Sequence, residues 1–191
     1  PLLTIGSTLD VHASGQVALN ALSGVLVATS GFSLDLGQVS TTAQNNGVSF
    51  TDASAAVITL TNASVFVGTG GSLSVDSSTG TVVNGSLGFG GTVSSLTVVS
   101  IKDRATASLT DDKSYLAVSA SGLSADLIGL ESVLVFHASG VTVQINKASD
   151  SDGDAATDAA KLDWTTLVTS GLSLPLLTIG STLDVHASGQ V

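Results

Sequence analysis

The 191-residue chain has no cysteine and no methionine, and only two prolines, one tryptophan, one tyrosine and five phenylalanines. Without cysteine there is no disulfide, no thiolate metal site and no thiol nucleophile. Charge is scarce: Asp, Glu, Lys and Arg make up 10% of residues, against roughly 25% in an average soluble protein. Fifteen acids face five bases, for a formal charge of −10. Such a chain cannot displace the counterions of a phosphate backbone, so no nucleic acid is expected as partner. Long apolar runs are missing too. The mean hydropathy of +0.51 comes from short stretches, none near the roughly 18 residues of a membrane-spanning helix. Tyr115 and Trp164 stand alone, too few for an aromatic stacking platform. Regular Thr-x-Thr ladders, which a flat ice-binding face needs, are also lacking.

What is present is 43% hydrophobic residues, 21 glycines and about a quarter Ser plus Thr. That is enough apolar side chain to bury a core, so the chain is not an acidic disordered tail.

Repetition is the main signal. Pro1 to Val17 reads PLLTIGSTLDVHASGQV, and Pro175 to Val191 reads the same without one substitution. The expected organisation is one full tandem unit over 1–174 and the start of an identical unit over 175–191, cut from a longer array. A weaker likeness lies inside the unit, between Ser121–Thr142 (SGLSADLIGLESVLVFHASGVT) and Ser170–Val191 (SGLSLPLLTIGSTLDVHASGQV). His137 and His186 fall at matching distances from Gly122 and Gly171. With weaker starts at Ser30 and Gly70, the unit reads as about four degenerate subunits at irregular steps of roughly 34 to 51 residues.

The local pattern is β. Thr8 to His12, Phe32 to Leu36, Leu73 to Asp76 and Val141 to Ile145 alternate apolar and polar residues, which puts one set of side chains on a buried face. Turns are expected at Gly15, Gly24, Gly31, Asn46-Gly47, Gly70-Gly71, Asn84-Gly85 and Ser139-Gly140. Asp150 to Ser170 is the exception, an Ala-rich stretch expected as a short helix or an ordered loop. The expected fold is all-β, a stacked β-solenoid-like tandem repeat in which each unit contacts only its neighbours. A string of β-sandwich domains is the alternative. Leu9, Val11, Leu34, Leu36, Val143 and Ile145 are expected in the core.

The candidate metal site is Asp150, Asp152, Asp154 and Asp158, with Asn146 and Asp163 as supplements. Carboxylates at every second position can converge on calcium, which takes six to eight oxygens. The run departs from a calcium loop after its first half: Ala155 stands where glycine is usual, and Lys161 where the closing Glu would be. The alternative is a solvated loop with an Asp capping a short helix. Asp10, His12 and Ser14 share one strand face but lack the geometry of a catalytic triad, which requires an acid behind the base and an oxyanion hole. A turn-stabilising H-A-S-G element is the expected role, and no enzyme activity is expected. Asn62 and Asn84 head glycosylation sequons, of use only in a eukaryotic secretory setting. Lys102 to Arg104 and Asp111 to Lys113 are expected at strand ends, and Gly68 to Gly71 at a tight bend.

The segments LDVHASGQVALNALSGVLVATSGFSLDLG, SVFVGTGGSL, SLGFGG, SGLSADLIGL and GVTVQINKASD resemble the repeats of giant bacterial surface proteins, including the LEPR-XLL type and other adhesin-like chains. The resemblance covers nearly the whole unit through short Gly/Ser/Val-rich motifs. It implies an extracellular or cell-surface stalk or fibre and brings no catalytic residues. The function expected is therefore a structural repeat of a long bacterial fibre, stacked head-to-tail on identical units, with neighbouring fibres or cells as further partners. Three alternatives are an adhesin repeat that attaches to cells or glycans, a polysaccharide-acting β-helix enzyme, and a filament self-assembled from separate short subunits.

Overall fold

The structure is a computed structural model that describes residues 9–75, 80–104, 112–151 and 159–191. Ten strands follow one another: β1 (Leu9–Ala21), β2 (Leu26–Thr41), β3 (Ala53–Thr69), β4 (Ser72–Val75), β5 (Gly80–Val83), β6 (Leu87–Asp103), β7 (Lys113–Ile128), β8 (His137–Asp150), β9 (Thr169–Gly171) and β10 (Val185–Gln190). The described residues contain no α-helix, only a 3-10 turn at Leu22–Gly24. Alternating Val, Thr, Ile and Ser favour extended backbone. Pro175 lies outside every strand, so no ladder among the described residues loses a donor to proline.

Most of the sheet is a meander. Its order is β1-β2-β3-β6-β7-β8-β10, with β9 as an eighth strand on β2, and β4-β5 forms a separate two-stranded ribbon. Every neighbouring pair is antiparallel. The long strands are joined by local connections. Gly24, Asn46-Gly47, Gly70-Gly71 and Asn84-Gly85 fall in these, as expected. Gly68 ends β3 ahead of its bend, and Asp103 and Lys113 stand at the facing ends of β6 and β7.

Three expected turns are not turns. Gly15 lies inside β1, Gly31 inside β2 and Gly140 inside β8. Gly140 (φ 59°) and Gly122 (φ 61°) take the left-handed conformation where the β7-β8 register shifts, and Asn62 (φ 50°) does so where β2-β3 shifts. A single residue at positive φ within a pair of long strands makes a bulge, which adds twist without ending the strand. The H-A-S-G segments accordingly sit in strands, and two of them are neighbours: Gln190 of β10 faces Ser139 of β8.

The core also lies on the other face from the one expected. Following the register, Asp35, Val57, Val99, Ala117 and Asn146 form one cross-strand row, and Val57, Val99, Ala117 and Asn146 are buried. Leu34, Ile58, Val98, Val118, Ile145 and Val185 form the adjacent row on the opposite face, where Ile58 is 41% and Val185 61% exposed. Val11, Leu34, Leu36, Val143 and Ile145 belong to that opposite face, whereas Leu9 packs on the buried cluster. Both faces are apolar, and the one that is buried is the one on which later segments land. At one end of the strands the chain 159–184 crosses the face and contributes Leu162, Trp164, Leu172, Leu177 and Ile179 to the core. Towards the other end the β4-β5 ribbon lies over β1 and β2: a Cβ on Gly80 would stand 3.0 Å from that of Ala18. Val27 and Phe66, paired across β2 and β3, are fully buried.

Candidate inter-unit joint

Of the stretch Asp150 to Ser170, expected as a short helix or an ordered loop, residues 152–158 lie outside the described residues. From residue 159 to 184 the chain is a strap that goes out across the sheet and comes back. On the outward pass, Asn45 of the β2-β3 connection holds it: Asn45 Nδ2 donates to the Asp163 carbonyl at 2.9 Å, and the Asp163 N–H donates to Asn45 Oδ1 at 2.7 Å. Asn46 Nδ2 donates to the Lys161 carbonyl at 2.9 Å. At the far edge β9 pairs with Val39 to Thr41 of β2, just past Gly37, which faces Leu9 of β1. The Leu172 N–H then donates to the Gln38 carbonyl at 2.8 Å.

The return pass, residues 175–184, repeats residues 1–10 in sequence. Leu177 and Ile179 are 7% and 0% exposed. Asn146 is the hub beneath them. Its Nδ2 donates to the carbonyls of Leu162 and Gly180, both at 2.9 Å, and its Oδ1 accepts from Trp164 Nε1 at 3.0 Å. Its backbone N–H donates to the Asp184 carbonyl at 3.0 Å, and the Trp164 N–H donates to the Ile179 carbonyl at 2.9 Å. A fully buried amide survives because its polar atoms are paired. Asp184 pairs with Lys161 and stands 3.7 Å from Lys147, so two of the five basic residues converge on one carboxylate. The Lys161 hydrogen bond, seconded by its charge, holds the Asp184 carboxyl below its ordinary value of 3.8.

After Asp184 the repeat becomes β10. Val185 faces Ile145, His186 faces Gln144 and Ala187 faces Val143. Val185 to Gln190 copies Val11 to Gln16 of β1, so one six-residue sequence forms both flanks of the meander. Six antiparallel steps separate the two copies, hence they run in the same direction. A straight walk across the sheet from Ala13 passes Leu34, Ile58, Val98, Val118 and Ile145 and arrives at Val185, the copy of Val11. The register thus drifts by two residues per unit. An even drift keeps every side chain on its face, whereas an odd one would turn the strand over. Same direction, same faces and partners on opposite sides mean that the two copies pair through opposite edges. One strand of this sequence can make both sets of hydrogen bonds at once.

The other candidate sites fall elsewhere. Asp152, Asp154 and Asp158 lie outside the described residues. Asp150 ends β8 opposite Lys113, and its charge, with that of Asp103, adds to burial in pushing the Tyr115 hydroxyl up to about 12. Of the proposed supplements, Asn146 spends its side chain on the hub. Asp163 Oδ1 accepts from the Thr165 N–H at 3.0 Å and from its hydroxyl at 2.5 Å. Among the described residues no cluster of three metal-ligating side chains occurs. His12 Nδ1 pairs with Asp35 on β2 at 2.5 Å, not with Asp10 on its own strand, and His137 pairs likewise with Asp126. Asn62 occupies the β3 bulge and Asn84 the link from β5 to β6.

No helix among the described residues is long and apolar enough to cross a membrane. Compared with family models, curated proteins and solved structures, the chain matches none.

Sequence reasoning located the repeated 17 residues but missed the hub. Asn146 was singled out only as a supplementary metal ligand, whereas its side chain is spent on Leu162, Gly180 and Trp164. The only signal was the lone Trp164 nearby, whose indole N–H needs an acceptor once buried.

Proposed function

We propose that the chain is a structural repeat of a long extracellular bacterial fibre, built by edge-to-edge pairing of identical units into one continuous antiparallel sheet. The observation that supports this reading is the double use of Val11 to Gln16 and its copy, on opposite flanks, in one direction and with faces kept. In the array, β10 of one unit is β1 of the next. Each unit then touches only its two neighbours, the quasi-one-dimensional logic of a solenoid, with antiparallel strands as the stacked element. Open edges are templates for pairing, and an array covers every edge except those at its two ends.

A unit adds six long strands, β1, β2, β3, β6, β7 and β8, each about 4.8 Å from the next, or about 29 Å of fibre. Electron microscopy of chains with two and four covalent units tests this. Straight particles that lengthen by about 29 Å per unit support the reading. Separate beads with variable spacing overturn it in favour of a string of independent domains.

A further inference from the structure

Residues 175–191 occupy a site that a second chain can fill, because its residues 1–17 are the same segment. We propose that this site is an exchangeable acceptor for the first 17 residues of another copy, so that separate chains join head-to-tail by donated strand as well as through covalent continuity. The proposal rests on the fibre reading and adds to it a way of joining separate copies.

The acceptor is made of groups outside the repeated segment: the edge of β8 that β10 occupies, from Ser139 to Ile145, the Asn146 hub, the Trp164 backbone, Lys147 and Lys161. Each contact made by the resident copy has a counterpart in the donor. Leu3 and Ile5 stand for Leu177 and Ile179, the Gly6 carbonyl for that of Gly180, and Asp10 for Asp184. Gln144, whose Nε2 donates to the Thr178 hydroxyl at 3.2 Å, would meet Thr4. Charge is complementary as well, since the acceptor offers two lysines and the donor one aspartate. The donor keeps its own pairing with β2, which uses the opposite edge, so acceptance does not unfold the chain that donates. In the intact chain the resident copy wins by tethering, which supplies an effective concentration of the order of mM.

The test uses the full 191-residue chain and changes the two copies separately. Ile179→Asp places a charge at a fully buried position and releases the resident copy while leaving Ile5 intact. Light scattering after gel filtration should show the wild type and Ile5→Asp as monomers at micromolar concentration. Ile179→Asp should form oligomers whose mass grows with concentration, and the double variant should return to monomer. A synthetic peptide of residues 1–17 should cap the Ile179→Asp oligomers; the same peptide with Ile5→Asp should not. Where Ile179→Asp alone loses its β-sheet circular dichroism, the unmodified peptide should restore it. A folded, monomeric Ile179→Asp variant overturns the proposal. So does oligomerisation that persists in the double variant, or a peptide without effect. Two-unit chains that still lengthen by one sheet per unit would then show the fibre reading standing without strand exchange.

Discussion

Asn146 offers the sharpest test of how the strap is held. Replacing it with alanine removes two donated hydrogen bonds and one accepted one. It leaves the Leu162 carbonyl and the Trp164 indole N–H without their partner, while the Gly180 carbonyl keeps the Leu183 N–H at 3.3 Å. Leu162 is 0% and Trp164 5% exposed, so water has little access to replace it. A buried polar group left unpaired costs about 1–3 kcal/mol. The indole N–H should carry the full cost, and the Leu162 carbonyl part of it after relaxation, for a total of about 2–4 kcal/mol. That is a large share of the roughly 5–15 kcal/mol typical of a folded domain. Trp164 is the only tryptophan, so urea denaturation followed by its emission reports on this site, and circular dichroism follows the sheet. Asn146→Ala should lower the midpoint strongly and shift native emission to the red. Asn146→Leu should do no better, because it fills the space but pairs none of the three groups. Asn146→Asp can still accept from Trp164, yet it turns a carboxylate towards two carbonyls, and should also destabilise. A loss below about 1 kcal/mol for Asn146→Ala, with unshifted emission, would refute the hub.

Three further outcomes follow from the same geometry. Tyr115 is 1% exposed and titrates near 12 instead of 10, so the unfolded chain ionises first; stability should hold below pH 10 and fall by up to about 2–3 kcal/mol between there and pH 12. As the chain's only tyrosine, its phenolate absorbance measures this directly, and a midpoint near 10 in the folded protein contradicts it. Asp184 titrates below 3.8, so its contribution is present above that value and lost as the pH falls through its lowered one. Asp184→Asn should weaken strap closure at neutral pH and flatten the acid limb of a Trp164 denaturation series; an unchanged acid limb counts against the Lys161 pairing. Gly171 has φ 101°, and a Cβ there would stand 2.3 Å from the Gln38 carbonyl oxygen. Gly171→Ala should therefore open β9 from β2, seen as fast exchange of the Leu172 and Thr42 amides, which donate to the Gln38 and Val168 carbonyls, and continued protection there would contradict the close approach.

Strand content was legible because alternation is a local property: Phe32 to Leu36 and Val141 to Ile145 lie in β2 and β8 as their patterns indicate. The buried face was not legible. Leu34 and Asp35 suggest that the even positions of β2 point inwards, but Asp35 shares its row with Val57 and Val99, and those are the buried ones. Asp35 is tolerated in that row because it stays partly exposed and pairs with His12 of the flanking β1. Glycine misled in a similar way, since the conformational freedom that permits a turn also permits the bulge at Gly140. The strap has no periodicity to read, as its contacts are made by isolated residues such as Leu162, Trp164, Leu177 and Ile179. The joint was visible only as an identity between two distant segments. Which edge of the sheet each copy takes required the register.

The central claim is that one strand serves two partners through opposite edges. In an antiparallel pair, alternate residues direct their N–H groups to alternate sides. Residue-resolved amide exchange on the 191-residue chain should therefore protect one alternating set across Val11 to Gln16 in β1, and the complementary set across Val185 to Gln190 in β10. In a chain of two covalent units, the strand at the joint should be protected at every position. The same alternating set protected in both copies, or a joint strand that keeps an open edge, would contradict the continuous sheet.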